Sequence, residues 1–161
     1  MSQVERQLRI LEALERNPDT TQARLAAQLG VAVGSINWYL KRLIRKGYVK
    51  ATQMERRRLK YFVTPQGLAL KAKLTSQYME ASLQVYRQLR QAARDTLEQI
   101  REAGYTAVEV NDKNDKNEAI EIFHLTCLEE GMPVNKPSPS PLPAVQAQGM
   151  HFAVEWPEEE S

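Results

Sequence analysis

The segment from Gln22 to Arg45, QARLAAQLGVAVGSINWYLKRLIR, constrains the fold of this chain more than any other. Ala26 is small enough for two helices to cross closely, and Gly30 stands where a tight turn requires a positive φ. Ile36 falls where the second of these helices must return to the core, and the other apolar positions continue the same face: Leu25, Leu29, Val31, Leu40 and Leu43. This spacing predicts a helix-turn-helix, a motif whose second helix can enter the major groove of DNA.

Three helices are expected, over residues 3–16, 22–29 and 33–46, because apolar residues recur there every three or four positions. Thr21 is a good N-cap for the second helix, whereas Ala32 offers the third helix no capping side chain.

Two strand-like runs, Tyr48–Thr52 and Leu59–Thr64, follow the third helix. Between them lies the turn Glu55-Arg56-Arg57-Arg58. A helix-turn-helix followed by a hairpin with an arginine tip predicts a winged helix over residues 1–64. In such a domain, an arginine of the tip can enter a narrow minor groove.

A long helix is predicted next, over residues 65–103, because Pro65 suits a first helical position and no other proline occurs before residue 104. Its apolar stripe is too long to be covered by a small winged helix, so a second copy of the chain is the expected partner. The alternative is a helix that bends back on its own domain. The residues expected at the dimer interface are Leu74, Tyr78, Leu83, Tyr86, Leu89, Ala93, Leu97 and Ile100.

Residues 104–161 are expected to form a small α/β domain, which makes the whole chain α+β. A strand is predicted over Thr106–Val110 and another over Met150–Trp156, with a proline-rich loop at 133–143 that is extended or mobile. A helix is predicted over Glu118–Glu130, and its buried side is expected to carry Ile120, Phe123, Cys127 and Leu128.

The net charge of +2 conceals a strong division along the chain. Residues 1–101 carry a net charge of +11 and residues 102–161 a net charge of −9. A basic half suits a polyanion, because Lys and Arg displace condensed counterions from phosphates. With one cysteine, no signal peptide and no apolar run of membrane-spanning length, the chain is expected to be cytoplasmic and without a membrane partner.

Asn37 is the best candidate for reading a base, since its amide can pair with N6 and N7 of adenine. Ser35 and Lys41 are expected to hold phosphates, and Gly34 to permit close approach of the DNA backbone. Trp38 either stacks on DNA or packs on the first helix, and packing is favoured because exposing tryptophan is costly. The full set of expected DNA-binding residues is Thr21, Gln22, Gly34, Ser35, Asn37, Trp38, Lys41, Arg45, Arg56, Arg57 and Arg58.

Neither an enzyme nor a metal or cofactor site is expected. Cys127 on an apolar helical face is interpreted as a buried structural thiol rather than a redox sensor. The two histidines, His124 and His151, are too few for a metal site, and residues 112–118 lack the central glycine of a calcium loop.

Two segments, ILEALERNPDTTQARLAAQLGVAVGSINWYLKRLIRKGYVKA and YFVTPQGLALKAKLT, resemble the MarR-type winged-helix regulators, and most closely their exopolysaccharide-associated bacterial branch. The resemblance covers about residues 4–90. It implies a homodimer on a pseudo-palindromic operator in double-stranded DNA. Some relatives carry a C-terminal βαβ unit similar to a nucleotide-binding half-fold, but here the loop Asn111–Asn117 lacks glycine and carries two aspartates, which oppose an anion.

The sequence therefore predicts a dimeric, sequence-specific DNA-binding transcription regulator of bacterial type, with no catalytic activity and an unknown small-molecule effector. Two alternatives stay open. One is a winged-helix module for protein–protein interaction, and the other is a ligand-sensing regulator that uses the C-terminal unit.

Overall fold

In the computed structural model, which describes residues 1–111 and 117–158, the chain forms two compact units, Met1–Ala81 and Ser82–Ser161. The sequence predicts three parts, with borders near residues 64 and 104. The border between the two compact units lies inside the long helix, because each end of that helix packs into a different core. The central part of the predicted polar loop Asn111–Asn117, and most of the acidic tail, lie outside the described residues.

Three helices open the first unit: α1 (Gln3–Arg16), α2 (Gln22–Leu29) and α3 (Val33–Arg45). These bounds confirm the predicted helices to within one residue. Thr21 caps α2 by accepting a hydrogen bond from the N–H of Arg24 at 3.2 Å, and Gly30 ends that helix with φ 64°. The start of α3 at Ala32 has no side-chain cap, as the sequence predicts.

The wing is the antiparallel hairpin of β1 (Val49–Gln53) and β2 (Leu59–Val63), joined by a tight turn at Glu55–Arg57. Strand β2 is fixed to the loop between α1 and α2. The N–H of Tyr61 donates to the carbonyl of Pro18 at 3.1 Å, and the ammonium of Lys60 lies 3.6 Å from the carboxylate of Asp19. The hairpin is thus held against the helical part of the unit.

The core of the first unit lies among the three helices, β1, β2 and the start of the long helix α4 (Pro65–Glu102). Its buried side chains include Ile10 and seven at positions that the apolar spacing identifies: Leu8, Leu11, Leu14, Leu25, Ile36, Leu40 and Leu43. The helix-turn-helix is therefore a packed domain with one covered face on each helix.

The long helix begins in direct contact with the hairpin. The hydroxyl of Thr64 accepts a hydrogen bond from the N–H of Gly67 at 3.1 Å and donates to the carbonyl of Gly47 at 2.6 Å. A Cβ on Gly67 would lie 2.0 Å from the carbonyl oxygen of Tyr48. Glycine at this position is therefore required by close packing of the first helical turn against the backbone that precedes β1.

The apolar stripe of α4 is largely covered within the chain. Leu74 is buried and Tyr78 packs against the core of the first unit. In the second unit, Leu89 is buried, and three further stripe residues lie in the hydrophobic core: Ala93, Leu97 and Ile100. These side chains are already removed from water within one chain. A second copy is not needed to cover them, which reduces the basis for predicting them at a dimer interface. Leu83 is 50% exposed and Tyr86 is half-buried, so these two stripe residues can still meet a partner.

The second unit contains β3 (Glu109–Val110), α5 (Glu118–Glu130), β4 (Ala144–Gln148) and β5 (His151–Glu155). The strand order is β3-β4-β5, with β3 parallel to β4 and β4 antiparallel to β5. The unit β3–α5–β4 is thus a βαβ arrangement. Strand β4 was not predicted, although the two-residue turn Gly149-Met150, with φ 60° at the glycine, joins it directly to β5.

One sequence prediction for this unit needs correction. Leu128 is 77% exposed rather than buried, because at about 100° per residue it lies roughly 140° around the helix from buried Phe123. The start of the proline-rich loop is fixed on β3: Asn135 donates its N–H to the carbonyl of Val108 at 2.9 Å, and its side chain accepts from the N–H of Val110 at 2.8 Å. Ile120, Phe123 and Cys127 are buried as predicted.

Candidate nucleic-acid interface

Helix α3 has one face in the core and one face in solvent. The inner face consists of Ile36, Tyr39, Leu40 and Leu43, each at most 6% exposed. The outer face carries the polar and cationic positions that the sequence predicts to meet DNA, and among them Gly34, Trp38, Lys41 and Arg45 are exposed. No acidic residue occurs anywhere in the helix. The structure therefore presents a cationic helical surface supported by a fully packed inner face.

The expectation that Trp38 packs on α1 is not met, because 50% of its surface is exposed. Its ring lies edge-on to Tyr39, with centroids 4.9 Å apart, and the guanidinium of Arg42 sits 5.3 Å from its centroid. The inward aromatic position of the helix is occupied by Tyr39, one residue and about 100° further on. Trp38 is therefore available on the outer face.

The two small residues near the start of α3 leave that end of the helix open. A Cβ on Gly34 would meet nothing within 4 Å, so packing within the chain does not require glycine there. Ser35 is half-buried. Thr21 is exposed, but its hydroxyl is already engaged as the N-cap of α2.

Asn37 is connected to two other elements through side-chain hydrogen bonds. Its Nδ2 donates to Oε1 of Gln22, the first residue of α2, at 3.2 Å. The Nε2 of Gln22 in turn donates to the hydroxyl of Tyr61 in β2 at 3.1 Å. Gln22 was predicted as a DNA-binding residue, but Tyr61 was not, because residues 22, 37 and 61 are brought together by the tertiary fold alone.

The tip of the wing presents arginine to solvent. Arg56 is exposed and adopts a left-handed backbone conformation, with φ 63°, while Arg58 is exposed with an extended backbone. Arg57 lies in the same turn, and its side chain is outside the described part of the chain. The two described side chains thus flank the turn at which the hairpin reverses.

Cationic groups of the outer surface are not neutralised by the acidic residues of the first unit. Several of its carboxylates are paired elsewhere: Glu5 and Glu12 with Arg9, Glu15 with Lys71, and Asp19 with Lys60. Within residues 1–111 and 117–158, no carboxylate lies within 4.0 Å of the charged atoms of Lys41, Arg45, Arg56 or Arg58. These four side chains are therefore not paired with a carboxylate of the described residues, and they can meet an external anion.

The second unit holds the single cysteine of the chain in its hydrophobic core. Cys127 is 0% exposed, and burial raises the pKa of its thiol to about 12. The thiolate is the reactive form, so this environment is the opposite of the one that a redox-sensing cysteine requires. Among the residues that the structure describes, no group of three or more His, Cys, Asp or Glu side chains is arranged to hold a metal ion, and no helix is long and apolar enough to cross a membrane.

Residues 5–50 match a protein-family model described as winged helix-turn-helix DNA-binding. A search of curated proteins found no match. Among solved structures, the chain is similar to FabT of Streptococcus pneumoniae in complex with DNA, at 24% identity and a TM-score of 0.39, over 48% of this chain and 55% of FabT. It therefore spans little more than half of that protein.

Two further structures are similar over more of the chain. A MarR family transcription regulator matches at 22% identity and a TM-score of 0.41, over 60% of this chain and 73% of that one. ZitR of Lactococcus lactis, a zinc-responsive MarR family member, matches at 19% identity and a TM-score of 0.42, over 81% of this chain and 75% of ZitR.

The region matched by the family model runs from α1 to the start of β1 and contains both helices of the helix-turn-helix. The hairpin of β1 and β2 completes the wing. The first unit therefore has the fold of a winged helix-turn-helix, with residues 5–50 matching the DNA-binding family model, and the predicted α+β fold class is confirmed.

Proposed function

We propose that this protein is a sequence-specific DNA-binding transcription regulator that acts as a homodimer in the bacterial cytoplasm. The observation that carries the proposal is the outer face of α3, which is cationic, free of acidic residues and backed by a fully buried inner face. A helix with its side chains is about 10–12 Å across, which matches the roughly 12 Å width of the major groove.

In this proposal, α3 lies in the major groove and the wing reaches the adjacent minor groove. Lys41 and Arg45, which lie four residues apart on one face of α3, contact phosphates, and the open surface at Gly34 allows close approach of the DNA backbone. Arg56 and Arg58 supply guanidinium groups to the minor groove, where narrowing strengthens the negative potential. Trp38 contributes an apolar contact to a thymine methyl or a sugar.

The dimer is proposed to form through the middle of α4. Leu83 is a large apolar residue that is 50% exposed, and Tyr86, three residues further along the same face of the helix, is half-buried. A second copy of the same helix is the simplest partner for this surface. The segments INWYLKRLIRKGYVKA and VTPQGLALKAKLT support assignment to the MarR type and to its exopolysaccharide-associated branch.

A salt titration of DNA binding tests the proposal. Affinity for a duplex selected by the protein from a randomised pool should exceed affinity for an unselected duplex, and both should fall linearly on a log–log plot against salt. Each phosphate contact that is lost should reduce the slope by about 0.9. The proposal is wrong if no duplex is bound at low salt, or if no sequence is enriched from the pool.

A variant of α3 provides a direct check of the groove assignment. Lys41→Ala and Arg45→Ala should each weaken binding to all sequences and lower the salt slope by about one unit. Lys73→Ala is the matched control, because this exposed lysine lies on α4, outside the proposed interface. An equal effect of all three substitutions would mean that binding follows net charge rather than a defined surface.

A further inference from the structure

Three side chains from three different elements form a continuous series of hydrogen bonds that ends on α3. Tyr61 in β2 accepts from Gln22 in α2 at 3.1 Å, and Gln22 accepts from Asn37 in α3 at 3.2 Å. The partners are 39 and 15 residues apart in sequence, so the series reflects the tertiary fold and not local geometry. It ends at the residue proposed to read a base.

The inner end of this series is rigid. The side chain of Tyr61 is 4% exposed, and its backbone is bonded to the loop before α2 and paired with Ala51 of β1. Gln22 is half-buried and occupies the first position of α2, where Thr21 caps the helix. Tyr61 therefore holds its hydroxyl in place, and the Gln22 amide directs its nitrogen to that hydroxyl and its oxygen to Asn37.

The direction of the Gln22 amide decides the direction of the Asn37 amide. An unsupported asparagine amide can rotate by 180°, which exchanges its donor and its acceptor. Adenine offers N7 as acceptor and N6–H as donor, so only one of these two orientations fits. The carbonyl of Gln22 accepts from Nδ2, and this contact favours the orientation that keeps the amino group near α2.

The remaining groups of Asn37 suit bidentate recognition. The amide nitrogen carries two hydrogens, one on the same side as its carbonyl oxygen and one on the opposite side. When Gln22 engages the opposite hydrogen, the other hydrogen and the carbonyl oxygen are left as an adjacent donor–acceptor pair. That pair matches N7 and N6–H of adenine in the major groove.

We infer that Tyr61 and Gln22 are positioning residues that hold the Asn37 amide in the orientation that selects an A·T pair in each half-site. This inference rests on the proposed function, since it requires that α3 reads bases. It assigns to a buried residue of the wing strand a role in specificity that neither helix of the helix-turn-helix supplies alone.

Base discrimination in the Tyr61→Phe variant tests the inference. The probe is the duplex that the wild-type protein enriches from a randomised pool, compared with the same duplex carrying single A·T to G·C changes in each half-site. Tyr61→Phe should lower discrimination at one A·T position by about 3- to 10-fold and leave the other positions unchanged. A ratio of affinities is used because it does not depend on the fraction of protein that is folded.

Tyr39→Phe is the matched control, because Tyr39 is a buried tyrosine of the same unit whose hydroxyl forms no side-chain hydrogen bond with the described part of the chain. Gln22→Met is a second variant, which keeps side-chain length but removes both hydrogen bonds, and it should lose at least as much discrimination as Tyr61→Phe. The inference is overturned if Tyr61→Phe and Gln22→Met discriminate as well as Tyr39→Phe.

A double-mutant cycle separates positioning from a general structural effect. In an Asn37→Ala background, Tyr61→Phe should change discrimination by less than about 1.5-fold, because the amide that it positions is gone. If Tyr61→Phe lowers discrimination equally with Asn37 and with Asn37→Ala, the inference is overturned, but the proposed function is not. Failure of the wild-type protein to enrich any sequence would instead contradict the proposed function itself.

Discussion

At the residue scale, the tip of the wing combines charge with an unfavourable backbone conformation. Arg56 has φ 63°, a left-handed conformation that costs a residue with a Cβ more than it costs glycine. Arg58, two residues on, has φ −83° and ψ 131°, which any residue adopts readily. The two arginines therefore differ in conformation while sharing charge and exposure.

Glycine substitutions at these two positions should change stability in opposite directions. Arg56→Gly should raise the free energy of unfolding by about 0.5–1 kcal/mol, and Arg58→Gly should lower it by a similar amount because glycine adds entropy to the unfolded chain. Both should reduce the salt slope of DNA binding by about one unit, since each removes one cation from the wing. Urea unfolding and a salt titration measure the two effects. Equal stability changes would contradict the left-handed assignment, and unchanged slopes would remove the wing from the interface.

At the scale of elements, the junction between the hairpin and α4 depends on a glycine for close packing. A Cβ on Gly67 would lie 2.0 Å from the carbonyl oxygen of Tyr48 and 2.8 Å from Cγ1 of Val63. Gly67→Ala should therefore lower the free energy of unfolding by about 1–3 kcal/mol, as measured by urea denaturation. Gly34→Ala is the matched control, because it adds the same methyl group to a helical position with no neighbour within 4 Å and should be neutral or stabilising by up to about 1 kcal/mol. Similar losses in both variants would contradict this packing.

The buried thiol of Cys127 in the core of the second unit should make the stability of the protein depend on pH. Burial raises the pKa of the Cys127 thiol from 9.0 to about 12. The unfolded chain loses this proton at lower pH than the folded chain, so the stabilisation is fully present below pH 9 and is lost as pH rises towards 12. Between pH 9 and 11, the wild-type protein should lose stability more steeply than Cys127→Ala, by about 1.4 kcal/mol per pH unit. Urea unfolding at each pH measures the free energy of unfolding of the two proteins. If it falls in parallel for both as the pH rises, folding does not raise the pKa of the thiol.

At the scale of the whole molecule, the proposed homodimer depends on the exposed apolar residue Leu83 in the middle of α4. Leu83→Glu should convert the proposed dimer to monomers, because it places a charge in an apolar interface. Gln84→Glu is the matched control: it adds the same charge to the neighbouring exposed position, about 100° around α4, and should leave the dimer intact. Light scattering coupled to gel filtration measures the mass. If Leu83→Glu and Gln84→Glu are both dimers, the interface does not include this part of α4.

Loss of the dimer should also be visible in DNA binding. A monomer has half the phosphate contacts of the dimer, so the salt slope of Leu83→Glu should fall to about half of the wild-type value. An unchanged slope in a monomeric variant would mean that one chain makes all the contacts.

The sequence by itself determined the winged helix, because its evidence is local. The spacing of Ala26, Gly30 and Ile36, the cap at Thr21 and the periodic apolar positions each specify structure within a few residues, and the observed helices begin and end where they indicate. The same local evidence identified the outer face of α3, since a helix that buries Ile36, Leu40 and Leu43 must present its opposite face to solvent.

Only the tertiary structure decided which distant residues meet. The contact of Tyr61 with Gln22, the closeness of Gly67 to Tyr48 and the burial of Leu97 and Ile100 in a second core all join segments whose separation in sequence carries no periodic signal. The strand β4 was missed for the same reason, because a five-residue run of small and polar side chains becomes a strand through its pairing with β3 and β5. Hydrogen bonds and packing between distant segments form only when the chain has folded, so their partners cannot be identified from local spacing.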